Sequence, residues 1–424
     1  MTTIVAETYQ NEFLAVGAMR VDALVSVSAT GTGNIAGGRE SAELVIVDVS
    51  GSMNFPRTKI RSAIAATCEA IDCIRDDVLF GVIAGDDTAR LVYPGGDTLV
   101  PASPSTRQAA KDTVRKLKAN GGTAIGQWLS LARYMVADRP ECISHAILLT
   151  DGENQNESPE ELAEVLAACE GSFQCDCRGV GADWVVSELR TIASTLLGTV
   201  EAIRAPEDLA ADFTATMARA MARGTGNVAL RVWTPMGARV DLVQQVSPTL
   251  EDLTARRVEV SDLEGDYPTG AWSDESRDYH VSFEVPARDI GDKMLAGRIK
   301  LVVDDTAVSE AQVLAVWTDD EAKSTRVNHE LAHYTGQAEL ARAIDDAYVA
   351  RRSGDLETAT RQFGEAVRMA HEAGDTHKLR GLAAVVDIED PATGTVRLKQ
   401  RVDALDDLAL EAGSVKTNRL PPTG

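Results

Sequence analysis

Residues 44–52 read LVIVDVSGS, an apolar run rich in β-branched residues that breaks into a polar loop at Asp48, Ser50 and Ser52. The run has the composition of a buried strand. Its loop leaves the carboxyl end of that strand, the end at which open α/β sheets bind ligands. A carboxylate and two hydroxyls are all oxygen donors, a set that suits a hard cation such as Mg²⁺ or Mn²⁺ rather than zinc or copper. Gly51 lets the loop curl so that both hydroxyls face inward.

Outward from this loop the period alternates. Ile60, Ile64, Cys68, Ile71 and Ile74 recur at helical spacing, and Val78–Ala84 is apolar again. Ile125, Leu129, Ala132 and Met135 repeat in the same way before a strand at Ile143–Thr150. Ser158-Pro159-Glu160-Glu161 is a capping box with proline in the first helical turn. A strand at Phe173–Val180 and a last helix with Leu209, Phe213, Met217 and Met221 on one face complete the series. Strands alternating with helices of this length predict a doubly wound α/β domain with a mainly parallel sheet covered on both faces.

The flanks change period. Val21, Ala23, Val25 and Val27 alternate ahead of this domain; Val228, Leu230 and Val232, then Tyr279, Val281, Phe283 and Val285, alternate after it. These read as antiparallel strands. A lone N-terminal strand pair is marginal in water, so it is expected to join the later strands in one antiparallel β sandwich, with the α/β domain inserted between them. After Trp317 helical spacing returns: Leu340, Ile344 and Ala347 precede Gly354, and Leu356, Ala359, Phe363 and Val367 precede Gly374. This is a helical hairpin of the tetratricopeptide kind. The expected division is N-terminal strands over 1–39, the α/β domain over 40–222, the sandwich over 223–320, a helical hairpin region over 321–390 and a partly flexible tail over 391–424.

Gly121-Gly122-Thr123 stands just before the helix starting near Ala124, and Thr150-Asp151-Gly152 ends the strand at Ile143–Thr150. Taken with Asp48, Ser50 and Ser52, these loops resemble the von Willebrand factor A domain and its metal-ion-dependent adhesion site, over about residues 40–222. The resemblance implies a metal site made of Asp48, Ser50, Ser52, Thr123 and Asp151. Two serines and the threonine would give hydroxyl ligands, the aspartates would bind directly or through water, and an Asp or Glu of a protein partner would be the last ligand. The implied ion is Mg²⁺, with Mn²⁺ or Ca²⁺ as substitutes. The same residue types could cap a helix and form a turn, but that reading does not account for three loops agreeing. Only Asp48 and Asp151 are anionic, so a bound divalent ion keeps an appetite for one more carboxylate. The ligand set holds no general base, and no lysine or arginine is expected beside it, so the expectation is non-enzymatic binding rather than hydrolysis.

Beyond the domain, Gly179-Val180-Gly181-Ala182-Asp183-Trp184, Asp266–Gly270 and His333–Leu340 are similar to actinobacterial proteins of uncharacterised role that carry it. This implies a cytoplasmic binding or scaffold protein. Adhesion-site domains also recur as regulatory subunits of ATP-driven assemblies. The chain has no Gly-x-x-x-x-Gly-Lys phosphate loop, so an ATPase, like a signalling protein, would be a separate partner.

Composition narrows the partners. Among 424 residues, 42 Lys+Arg face 65 Asp+Glu, a net charge of −23 that points to proteins or cations and away from nucleic acid and anionic membranes. The same charge repels acidic partners at long range and leaves short-range attraction to the metal. No apolar run approaches the ~20 residues of a membrane span. The opening residues MTTIVAETYQNEFL lack the basic and apolar regions of a secretory signal, so a cytoplasmic location is expected. The six cysteines show no zinc or disulfide pattern and read as reduced thiols. Leu420-Pro421-Pro422-Thr423-Gly424 imitates a sortase sorting signal without the apolar stretch and basic tail that follow one, and reads as a frayed terminus.

A competing reading comes from His329-Glu330-Leu331-Ala332-His333, which matches the zinc-peptidase motif. It would make the protein a zinc-dependent peptidase using His329, Glu330 and His333. Glu339 stands where one peptidase branch needs a third histidine, and the surrounding helical hairpin lacks a cleft-forming strand. The histidines are therefore expected on a solvated or interdomain face.

Overall fold

The computed structural model describes residues 3–31 and 40–419; the sorting-signal mimic at Leu420–Gly424 lies outside them. The chain divides into two units, one of Ala36–Gly224 with Val402–Gly413, the other of Met1–Ile35, Thr225–Arg401 and Ser414–Gly424.

The chain opens with β1 (Thr3–Gln10), β2 (Phe13–Ala15) and β3 (Arg20–Thr30). Then come β4 (Ser41–Asp48), α1 (Thr58–Cys73), β5 (Leu79–Gly85), β6 (Ala89–Tyr93), β7 (Val100–Pro101), α2 (Pro104–Val114) and α3 (Ile125–Val136). The α/β series ends with β8 (Ile143–Gly152), α4 (Pro159–Cys169), β9 (Gln174–Asp183), α5 (Val186–Thr195), β10 (Val200–Ile203) and α6 (Leu209–Ala222). Its strands lie in the order β10-β9-β8-β4-β5-β6, with β7 also on β5.

The apolar run at residues 44–47 explains this sheet. Val45 and Val47 bury among Ile60, Ile71, Phe213 and Met217 on one face, while Leu44 and Ile46 bury among Trp128, Leu129, Leu162 and Leu189 on the other. A strand covered on both faces has no polar alternation, which is why it reads as a continuous apolar run. The sheet is parallel except at β6 and β7, which run antiparallel to β5. The capping box forms as expected: Ser158 Oγ accepts from Glu161 N at 3.2 Å and Glu161 Oε2 from Ser158 N at 2.8 Å.

The other unit continues with β11 (Thr225–Trp233), β12 (Arg239–Ser247), β13 (Glu251–Asp252), β14 (Val258–Ser261), β15 (Glu264–Trp272), β16 (Glu275–Glu284), β17 (Lys293–Val303) and β18 (Thr306–Thr318). Two sheets result, β1-β3-β16-β12-β13 and β14-β15-β11-β17-β18-β2. The N-terminal strands thus enter both: β3 pairs antiparallel with β16, from Arg20↔Glu284 to Ala29↔Glu275, and β2 lies parallel to β18. Insertion of the α/β domain into a sandwich, expected from the marginal stability of a lone strand pair, is what the topology shows.

Helices follow: α7 (Glu321–Ser324), α8 (His329–Arg352), α9 (Leu356–Glu372) and α10 (Thr376–Val385), then a hairpin of β19 (Val386–Asp390) and β20 (Thr395–Leu398). The joints are chemically alike. Gly354 and Gly374 take φ of +83° and +67°, and the next residue caps the following helix: Asp355 Oδ1 accepts from Thr358 N at 3.0 Å and Asp375 Oδ1 from Lys378 N at 2.9 Å. Tyr348 and Phe363 lock α8 to α9 edge-to-face, with centroids 5.5 Å apart.

The stretch expected as a tail is instead built in as far as Arg419. After β20, α11 (Ala404–Gly413) rejoins the α/β unit, where Ala412 buries in the Trp128 cluster and Arg190 donates to the Glu411 carbonyl. Beyond it, in the sandwich unit, Thr417 Oγ1 donates to Val246 O at 2.6 Å and Arg419 Nε to Asp278 Oδ2 at 3.0 Å. A short helix with three acidic residues in ten gives little periodic signal, so its apolar contacts were not legible locally. Among the described residues, no helix is long and apolar enough to cross a membrane.

Candidate functional site

Three loops converge over the carboxyl edge of the parallel sheet. Val49 N donates to Gly85 O at 2.7 Å, Gly51 N to Gly121 O at 3.0 Å and Asn120 N to Val49 O at 2.7 Å, tying the first loop to the second. A Cβ on Gly51 would stand 3.3 Å from Gly121 O. The glycine thus stands where the two loops approach each other closely. Two tryptophans floor this edge: Trp128 lies where a Cβ of Gly85 would be, and Trp184 where a Cβ of Gly179 would be.

All five residues named from the sequence face this point. Ser50 Oγ and Ser52 Oγ are 2.9 Å apart, and Ser52 Oγ donates to Asp151 Oδ1 at 2.6 Å. Asp48 is fully buried; its Oδ1 accepts from Ser50 N at 2.7 Å and its Oδ2 from Thr150 Oγ1 at 2.7 Å. Burial pushes the Asp48 carboxyl up to about 6, against the hydrogen bonds from Ser50 and Thr150. Thr123 is fixed through its backbone: its N–H donates to Asn156 Oδ1 at 3.1 Å, and its carbonyl accepts from Asn156 N at 3.0 Å. A Cβ on Gly152 would sit 3.6 Å from Ser52 Oγ and 3.8 Å from Thr123 Oγ1, which places this glycine beside both hydroxyls.

The donor set fits a small divalent ion. Every contributing side-chain atom is oxygen, and an octahedral ion with ligands at ~2.1 Å places neighbouring ligands about 3.0 Å apart. The 2.9 Å serine pair is compatible with such an edge.

The expectation that no lysine or arginine stands beside the site is corrected. Lys59 Nζ donates to Asp151 Oδ2 at 2.6 Å and reaches Asp183 Oδ2 at 3.3 Å. Its side chain is only 7% exposed. Burial opposes its charge, but Asp151 and then Asp183 outweigh this and hold the ammonium above the ordinary lysine range. The reading from sequence also missed the supports of the second loop. Glu157 accepts from Gly126 N at 2.7 Å and Gln127 N at 2.9 Å at the start of α3, and Asn154 Oδ1 accepts from Ile125 N at 3.2 Å.

The zinc-peptidase motif lies elsewhere, on the first turns of α8. His329 is exposed, whereas His333 packs edge-to-face on Tyr334, and its Nε2 bonds the Asn418 carbonyl at 2.8 Å. Tyr334 donates to Asp278 Oδ2 at 2.6 Å. His333 thus clasps the C-terminal segment.

Together these features define a doubly wound α/β domain whose loops gather hydroxyls and carboxylates at one edge, inserted in the chain between the strands of a β sandwich. The chain belongs to the von Willebrand factor type A family. Residues 42–202 match the von Willebrand factor type A domain and residues 368–414 its C-terminal domain. A solved von Willebrand factor type A protein from Catenulispora acidiphila is 46% identical, with a TM-score of 0.94 over 99% of this chain and 97% of its own. The ArnB paralog VWA2 from Sulfolobus acidocaldarius, at 15% identity, shares the fold with a TM-score of 0.60 over 98% of this chain and 100% of its own. No curated protein matches the chain.

Proposed function

We propose that this protein is a non-enzymatic, divalent-cation-dependent protein-binding module or scaffold, with Asp48, Ser50, Ser52, Thr123 and Asp151 as its metal site and Mg²⁺ as its ion. The observation that supports this is the convergence of five oxygen-bearing side chains from three loops at the ligand-binding edge of the sheet. A divalent ion there would offer a coordination position to a partner's Asp or Glu. The chain's own residues assemble the site: Asp48 orients Ser50 and Thr150, and Asn156 fixes Thr123. A cytoplasmic setting belongs to the same reading, since six unpaired cysteines fit a reducing compartment.

Phe55 extends the binding face. It lies three residues beyond Ser52, donates its N–H to Ser52 O at 2.9 Å and is 79% exposed. A large apolar side chain held in water beside a polar site is the kind of anchor that carries interface energy. The protein immobilised in Mg²⁺ should capture its partner from a cell extract, and capture should be lost with a chelator or with Asp48→Asn. Capture indifferent to both would contradict the proposal. Phe55→Asp should weaken the captured complex by about tenfold or more, judged by calorimetry with the purified partner, while Mn²⁺ affinity stays the same.

A further inference from the structure

We infer that Lys59 is the fixed counter-ion of the metal site and sets its balance between cation and carboxylate; this rests on the function proposed above. Lys59 heads the inward stripe of α1, followed by Ala63, Ala66 and Ala70, all buried. Burying an ammonium is costly unless it is paired, so its placement must be compensated by the carboxylates it meets. Those are Asp151, fully buried, and Asp183, 71% exposed. Room for the ammonium comes from Gly181, where a Cβ would stand 3.2 Å from Lys59 Cε and 3.4 Å from Nζ.

Asp151 is therefore divided between two tasks. Its Oδ1 accepts from Ser52 and its Oδ2 is held by Lys59. Before a cation arrives, the ammonium neutralises the carboxylate and keeps it aimed at the loop. When a cation arrives, it meets a carboxylate already paired, so affinity is lower than the ligand set alone would give. The loaded site is also more positive. Two aspartates, a lysine and a divalent ion leave one net positive charge, against zero without the lysine; Asp183, largely in water, is screened and counts for little. Lys59 thus weakens the hold on the cation and strengthens the demand for an anionic partner ligand.

The test is a Mn²⁺ titration of the full chain by calorimetry, comparing wild type, Lys59→Met, Lys59→Arg and Asp48→Asn. Lys59→Met should bind Mn²⁺ more tightly, on the order of tenfold, because a like charge has been removed from beside the ion. Metal-free Lys59→Met should melt below wild type, and Mn²⁺ should close most of that gap. Lys59→Arg, which keeps the charge, should stay near wild type in affinity. Lys59→Gln, which keeps a hydrogen-bond donor without the charge, is the second variant should Lys59→Met fail to fold, with the same expected sign. Equal or weaker Mn²⁺ binding by the neutral variants, with wild type binding and Asp48→Asn not, would overturn the role of Lys59 and leave the site standing. Asp48→Asn binding as tightly as wild type would overturn the site, and the role of Lys59 with it.

Discussion

Asp48→Asn should abolish divalent-cation binding by the α/β unit while leaving the chain folded. Both carboxylate oxygens of Asp48 are engaged, Oδ1 by Ser50 N and Oδ2 by Thr150 Oγ1, and the group is fully buried. Asparagine keeps the shape and one acceptor, and the Thr150 hydroxyl can turn to accept from the new amide. It also removes a carboxylate whose ionisation burial opposes. The metal-free variant should therefore melt within about 1 kcal/mol of wild type. Its Mn²⁺ affinity should fall by about a hundredfold or more, since even residues outside the direct ligands of a metal commonly cost tenfold to a hundredfold. Asp48→Ala, by contrast, strands the Ser50 amide and removes the nearer acceptor of the Thr150 hydroxyl, and should melt lower by about 1–3 kcal/mol. Calorimetric titration and melting curves, each with and without chelator, separate the two effects. Retention of Mn²⁺ affinity within a few-fold in Asp48→Asn would remove Asp48 from the site.

The second large effect lies in the core of the same sheet. His145 on β8 is buried between Glu43 on β4 and Asp176 on β9, with Nδ1 2.7 Å from Glu43 Oε1 and Nε2 2.9 Å from Asp176 Oδ2. Carboxylates at both ring nitrogens favour the doubly protonated ring, while burial also pushes the Glu43 carboxyl up. Burial opposes that charge, but the two carboxylates outweigh it and raise the His145 pKa. Asp176, also bonded by Thr199 N at 2.8 Å, is held well below the ordinary carboxylate range by His145 and the nearby arginines despite its burial. Removing one partner from a buried charge network leaves the rest uncompensated, so His145→Leu should cost about 3–5 kcal/mol. That corresponds to a melting point lower by roughly 10 °C. The sign of the pH effect follows. A raised histidine stabilises the fold fully below the unfolded value of ~6.5, and the contribution fades as pH rises through the folded value. Wild type should thus lose stability on the alkaline side by a component that His145→Leu lacks. Melting curves that coincide for the two proteins, or that show the same alkaline slope, would contradict this account.

Much of the α/β unit was legible because its signals are local. LVIV at the core, the hydroxyls and carboxylates after it and the glycine-rich entry to α3 are each contained within one strand end or loop, and their order follows from the doubly wound topology. Lys59 was not legible, since its partner Asp151 is distant in sequence and the pairing exists only once the start of α1 is brought beside the end of β8. A signal was present all the same: a lysine heading a stripe of buried alanines is out of place unless something negative waits for it. The reversed β6 is short and partly exposed, so periodicity said little about it. The return of α11 to the α/β unit and the clasp of His333 on Asn418 are long-range contacts of the same kind. In the second case, one histidine of a pair at metal-ligand spacing, His333, holds the chain's C-terminal segment.

The measurement that tests the central claim most directly is an anomalous-scattering map from a crystal of this protein soaked in Mn²⁺. A peak among Asp48, Ser50, Ser52, Thr123 and Asp151, within about 2.2 Å of the serine hydroxyls, is the predicted result. A well-ordered crystal with no peak there, or with its peak at His329 and His333 instead, would contradict it.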